Sequence, residues 1–131
     1  MSADVEKLVI SEEEETIFNQ TVNDTTVIAD EETEYEIIII DPGFNSWLAG
    51  IARPVGFYTQ NYLETRNRLW VISWNQRVMQ PHRFNPNLYL QQINYDPNID
   101  YGYDVNYKLF NYFIFFQRRN NQRLGGFMPR I

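Results

Sequence analysis

The sequence contains no cysteine. Disulfide frameworks, cysteine-ligated zinc, iron–sulfur clusters and a cysteine nucleophile are therefore excluded within this chain. The compartment is not fixed by that, because many proteins of oxidising compartments also lack cysteine. Histidine occurs once, as His82. General acid–base work by histidine needs an orienting partner, and none stands near it, so His82 reads as a surface or packing residue. The serines Ser2, Ser11, Ser46 and Ser73 stand in no Gly-x-Ser-x-Gly elbow. Glycine is scarce and forms no phosphate-cradling loop; Gly125-Gly126 follows a helical pattern and reads as a cap. No run of about 18 or more apolar residues occurs, so no transmembrane span is expected. The opening Met1-Ser2-Ala3-Asp4 does not read as a secretory signal.

What the chain does contain is aromatic and apolar material. It has 131 residues, 44% hydrophobic and 16% aromatic, which suits one domain with a real core. The net charge of −6 conceals a split. Residues 1–36 hold twelve acids against Lys7, a balance of −11, and residues 37–131 hold ten bases against five acids, a balance of +5. Residues 1–33 accordingly read as an acidic, mostly disordered arm or tether, since acidic runs repel themselves and few aromatics offset the ordering entropy. Leu8-Val9-Ile10 and Val27-Ile28 interrupt the arm and are weak strands at most. The arm would screen a basic surface or meet a partner. Residues 34–131 read as a single net-basic domain.

Within that domain Tyr35–Ile40 is the clearest strand, with β-branched residues on both faces, and Asp41-Pro42-Gly43 ends it in a turn. A short helix follows, capped by Asn45 or Ser46, with Trp47, Leu48 and Ile51 on one face and Pro54 and Gly56 as its stop. A long helix is predicted over about 58–79, with Leu63, Trp70, Val71, Trp74 and Val78 on one side and Glu64–Arg68 as an i,i+4 pair. Leu88–Tyr95 is a candidate strand inside a proline-punctuated stretch. The last element, a helix over about 104–123, carries two apolar stripes and must be central or covered. The expected fold class is α+β: a small sheet built on strand 35–40, packed by the two longer helices.

Asp96-Pro97-Asn98-Ile99-Asp100-Tyr101-Gly102-Tyr103-Asp104 has oxygen ligands at alternate positions. It departs from a calcium loop at its second position, a proline; at its glycine, which stands seventh; and at Tyr107, where a bidentate glutamate belongs. No metal site is expected; Asp96, Asn98 and Asp100 are the nearest candidates, and turn chemistry with Asp104 as a helix cap accounts for them. Asp41 and Glu64 are the carboxylates a hydrolase would pair. Arginine is more informative. Arg118, Arg119, Arg123 and Arg130 cluster late in the chain, and Arg66, Arg68, Arg77 and Arg83 lie on or after the long helix. The candidate binding residues are Arg66, Arg77, Arg118, Arg119 and Trp70, since arginine beside aromatic rings binds anionic groups. A charge of +5 over that length is too mild for a nucleic-acid footprint.

The run Tyr35-Glu36-Ile37-Ile38-Ile39-Ile40-Asp41-Pro42-Gly43-Phe44 resembles the opening of a small uncharacterised domain family of Bacteroidetes-type bacteria. So do Gly56-Phe57-Tyr58, Tyr62-Leu63-Glu64, Trp74-Asn75-Gln76-Arg77-Val78 with Gln80-Pro81, and most specifically Ile93–Asp96 through Tyr101–Tyr107. The resemblance covers residues 34–131. Members often carry a lipoprotein-type signal ending in cysteine and have no assigned activity, so no functional residue carries over; this chain has neither signal nor cysteine. The resemblance implies a cell-envelope location, lipid-anchored and periplasm-facing, if the chain is a trimmed form of a longer precursor, and a cytoplasmic one otherwise. The leading expectation is a non-enzymatic envelope module that binds a protein partner or a cell-wall polymer and needs no cofactor. The alternatives are a small carboxylate-dependent hydrolase and a binder of anionic ligands or nucleic acid through surface arginines.

Overall fold

The computed structural model describes residues 8–19, 25–30, 35–40 and 43–131. The body is helical. α1 spans Glu12–Phe18, α2 Phe44–Gly50, α3 Gln60–Val78 and α4 Gly102–Asn120. α4 is the central element: α3 and α2 lie against it, and α1 lies against α2. Its buried residues run nearly all the way round, from Val105, Tyr107 and Leu109 to Phe113, Phe115 and Phe116. A helix apolar on so much of its circumference is stable in water only when neighbours wrap it.

The α+β expectation is corrected here. Among the described residues four helices define the architecture, and α4 is the element the others gather around. The only extended pairing among the described residues is one antiparallel hairpin, β1 (Thr25–Asp30) with β2 (Tyr35–Ile40), in the register Thr25 opposite Ile40 through Asp30 opposite Tyr35. Two strands alone are marginal in water, so this hairpin, whose β1 lies against α4, depends on the helical body and does not found a larger sheet. The candidate strand over Leu88–Tyr95 does not form either. Its backbone is satisfied by side chains of α3. Asn75 Nδ2 donates to Ile93 O at 2.9 Å, Ile93 N donates to Asn75 Oδ1 at 2.7 Å, and the Trp74 indole donates to Gln91 O at 3.0 Å. Asn75 thus supplies the donor–acceptor pair a neighbouring strand would have offered.

Local chemistry explains the helix ends. Thr59 caps α3 by accepting from Tyr62 N at 3.2 Å. The cap of α2 is Gly43, two residues before Asn45; its φ is +85° and its missing Cβ leaves room for Ile17 Cγ2, since a Cβ there would sit 2.7 Å away. Asp104 is not a cap but lies in the first turn of α4, paired with Lys108 at 3.1 Å. Glu64 and Arg68 do not pair: Glu64 accepts from Gln60 Nε2, and Arg68 reaches Pro97 O.

Part of the acidic arm is folded. Ser11 and Glu14 form a reciprocal capping box, with Glu14 N donating to Ser11 Oγ and Ser11 N donating to Glu14 Oε1. Four glutamates in the first turn favour the positive helix end. Glu14 is then fully buried, at 0% exposure, and Leu8 is buried at 8%. A boundary at residue 34 leaves this docked segment out.

Candidate functional site: an arginine–aromatic cleft

Tyr62, Arg66 and Trp70 recur at intervals of four and form one ridge along α3, which Tyr58, just ahead of the helix, extends by stacking on Tyr62. Phe110 and Ile114, likewise four apart on α4, make the floor beneath that ridge. The third wall comes from the chain after α4. Asn121 leaves the helix at φ 49°, and Gly125 and Gly126 at φ +95° and +83° turn the tail back along the body. Trp70 Nε1 donates to Gly125 O at 3.1 Å, Leu124 N donates to Gln117 Oε1 at 2.8 Å, and Arg118 Nη1 donates to Pro129 O at 3.1 Å. Phe127, Met128 and Arg130 are thereby set against the ridge. The half-open cleft has a volume of about 320 Å³.

The rings are tightly ordered. Tyr58 and Tyr62 stack at 4.5 Å with planes 3° apart, and Phe110 meets Tyr58 edge-on at 5.4 Å. Trp70 stacks on Phe110 at 5.6 Å and meets Phe127 edge-on at 5.7 Å. The Arg66 guanidinium lies over the Tyr62 ring at 4.2 Å and over the Phe127 ring at 4.0 Å. Its cation–π contacts tie the tail to α3, each worth about 0.5–1 kcal/mol at such sites. No carboxylate, histidine, serine or threonine lines the cleft. Burial, and then the neighbouring Tyr62, push the Tyr58 hydroxyl above its usual pKa, so it stays protonated at neutral pH. The arrangement can donate hydrogen bonds, stack on flat groups and attract anions.

The five predicted binding residues do not share one face. Arg66 and Trp70 meet at the cleft. Arg77 is a structural strut: it lies over Phe84 at 4.6 Å, donates to the Tyr89 hydroxyl at 2.8 Å and reaches Arg123 O. Arg118 closes a buried ion pair. Its Nε and Nη2 donate to Glu14 Oε2 and Oε1 at 2.7 and 2.6 Å, while the Trp47 indole donates to Glu14 Oε2 at 2.9 Å. Arg119 sits 5.9 Å from the Phe115 ring. The loop candidates for metal are engaged in turns: Asp96 Oδ1 accepts from Asn98 N at 2.8 Å, and Asp100 Oδ1 accepts from Gly102 N and Gln60 Nε2. Among the described residues no group of three histidine, cysteine or acidic side chains could hold a metal ion. Asp41 lies outside the described residues, so the Asp41–Glu64 pairing is not placed. Sequence reasoning missed Tyr62, Phe127 and Arg130 as parts of one site, and Glu14 as the partner of Arg118. The fourfold ridge and the Ser11-x-x-Glu14 spacing were the available signals.

The fold and cleft define a small helical domain with an arginine–aromatic site between two helices and a returning tail. The chain belongs to a family of unknown function, DUF6146, whose family model matches residues 6–128. The match takes in the cleft lining as far as Met128 and also the docked acidic segment. Neither the curated proteins nor the solved structures give a match. Among the described residues no helix is long and apolar enough to cross a membrane.

Proposed function

We propose that the chain is a non-enzymatic binding module of the cell envelope and that its ligand, a group carried on a cell-wall polymer, seats in the cleft. The lining carries this reading: aromatic rings and two arginines, with none of the paired acid and base that hydrolysis needs. A volume of about 320 Å³ suits a small pendant group. A protein partner would instead need a broad face burying about 1,200–2,000 Å². Arg66, Arg77 and Arg118 are divided between the cleft, a strut and a buried pair, which counts against the contiguous basic face that a nucleic-acid reading requires. The envelope location and lipid anchor belong to the same proposal and rest on the family resemblance; residues ahead of the docked segment would serve as the tether. The test is co-sedimentation of the full chain with insoluble wall material. Wild type is expected in the pellet and Phe127→Ala largely in the supernatant. A wild-type chain that stays wholly in the supernatant overturns the proposal.

A further inference from the structure

Arg66 and Arg130 both line the cleft, and neither side chain has a carboxylate or carbonyl partner among the described residues. Arg68 and Arg118, by contrast, are held by acceptors, and Arg77 serves as a strut. Arg66 rests on two rings, which fixes its side chain and leaves the in-plane N–H donors unspent. A guanidinium held in this way loses little entropy on binding and offers a planar fork to a two-oxygen acceptor. Phe110 and Ile114 below and Phe127 and Met128 beside are apolar, and Trp70, Tyr58 and Tyr62 add ring faces with a polar edge. A favourable occupant is therefore small, with an apolar or flat body to lie on the rings and an anionic end. A carboxylate's two oxygens match a single fork, whereas a phosphate carries a third oxygen that needs a further donor.

We infer that the cleft is a receptor for a carboxylate borne on a small apolar body, held by Arg66 and Arg130. This rests on the binding reading above and names the chemistry that the site selects. The carboxylate has two sources, the free end of a short apolar wall peptide or a free organic acid, and the test separates them.

The experiment titrates the full-length chain with 3-phenylpropionate, its amide, inorganic phosphate, and an acetylated apolar dipeptide as free acid and as amide. The Trp70 indole resonance, whose N–H bond to Gly125 O reports the tail wall, is the readout. Both acids are expected to shift it, with each amide binding at least about tenfold more weakly, as loss of one charge-assisted hydrogen bond implies. The dipeptide acid binding more tightly than phenylpropionate assigns the source to peptide, and the reverse assigns it to a free acid. Arg66→Gln should abolish the discrimination between acid and amide. Arg130→Gln, which removes charge without removing a ring contact, should weaken both acids while leaving the thermal melt unchanged. Equal binding of acid and amide, phosphate binding in place of carboxylate, or no response at millimolar acid from a folded chain overturns the inference. If Arg66→Gln and Arg130→Gln pellet with wall material as wild type does, the carboxylate inference falls while the wall-binding proposal stands. If wild type binds the acids but not the wall, the proposal falls and the inference survives with a free acid as ligand.

Discussion

Glu14 is the residue on which most physical consequences converge. Its carboxylate is fully buried, and burial alone would raise its pKa. Hydrogen bonds from Arg118, the Trp47 indole and the Ser11 amide, with the Arg118 charge, outweigh that and hold it below the usual carboxylate value. A depressed folded pKa stabilises above the unfolded value and loses that contribution as pH falls through the folded one. Stability should therefore decline as pH drops below about 4.5, and Glu14→Gln should flatten that acid limb. The same change leaves Arg118 unpaired beside a buried site, so denaturant unfolding at neutral pH should show a loss of about 3–5 kcal/mol. A loss below about 1 kcal/mol would mean that the pair is exposed in solution. Tyr95 gives the opposite limb. Burial, then the nearby Glu64, push its hydroxyl up to about 12, while it donates to Asn106 Oδ1 at 2.6 Å. The folded state holds that proton more tightly, so its stabilisation is complete below pH 10 and fades as pH rises towards about 12. Tyr95→Phe should lower neutral stability by about 1 kcal/mol and give a flatter alkaline limb in the same assay.

At the scale of elements, α1 is the one whose standing differs most between sequence and structure. Seven residues cannot hold a helix alone in water, so its order comes from docking. Leu8 N donates to Asn121 Oδ1 at 3.0 Å, Arg118 Nη2 donates to Val9 O at 3.0 Å, and Phe18 meets Phe115 edge-on at 5.6 Å. Deleting residues 1–33 should cost more than about 3 kcal/mol, because it strands Arg118 and uncovers Phe115. Chemical denaturation of the 34–131 fragment beside the full chain measures this, and matching midpoints would restore the picture of a dispensable arm. α3 and α4 were legible because Trp70, Val71 and Trp74 in the one, and Leu109, Phe113 and Phe116 in the other, repeat with the helical period. The four isoleucines of 37–40 carried no such information about what lies beside them. A run of β-branched residues marks extension, but whether it founds a sheet depends on how many strands come to pair with it.

For the whole molecule, the charge split resolves into one buried ion pair among the described residues, not a diffuse attraction between arm and domain. Salt screens exposed charges over about 8 Å at physiological strength but acts weakly on buried ones. Raising salt to about 0.5 M should therefore leave the contact of residues 8–18 with α4 intact, as judged by unchanged amide shifts around Arg118. Arg118 also links the two ends of the fold, since it holds Glu14 and Val9 O on one side and Pro129 O on the other. Pro129 lies between Met128 and Arg130 of the cleft wall. Arg118→Met should thus shift the Phe127 ring resonances and weaken carboxylate binding, although Arg118 itself does not line the cleft. Unchanged affinity in a folded Arg118→Met protein would show that Trp70, Arg66 and Gln117 hold the tail without it.

By itself the sequence determined the exclusions, the two long helices and the centrality of the last one. These follow from composition and from a period that acts within a few residues. Only the tertiary structure decided that Glu14 meets Arg118 across 104 positions, that Asn75 takes a strand's place beside Ile93, and that Phe127 and Arg130 return to Tyr62 and Arg66. Residues that far apart carry no periodic mark of their meeting. Their pairing is selected by which buried charges and carbonyls would otherwise go unsatisfied once the aromatic core has closed.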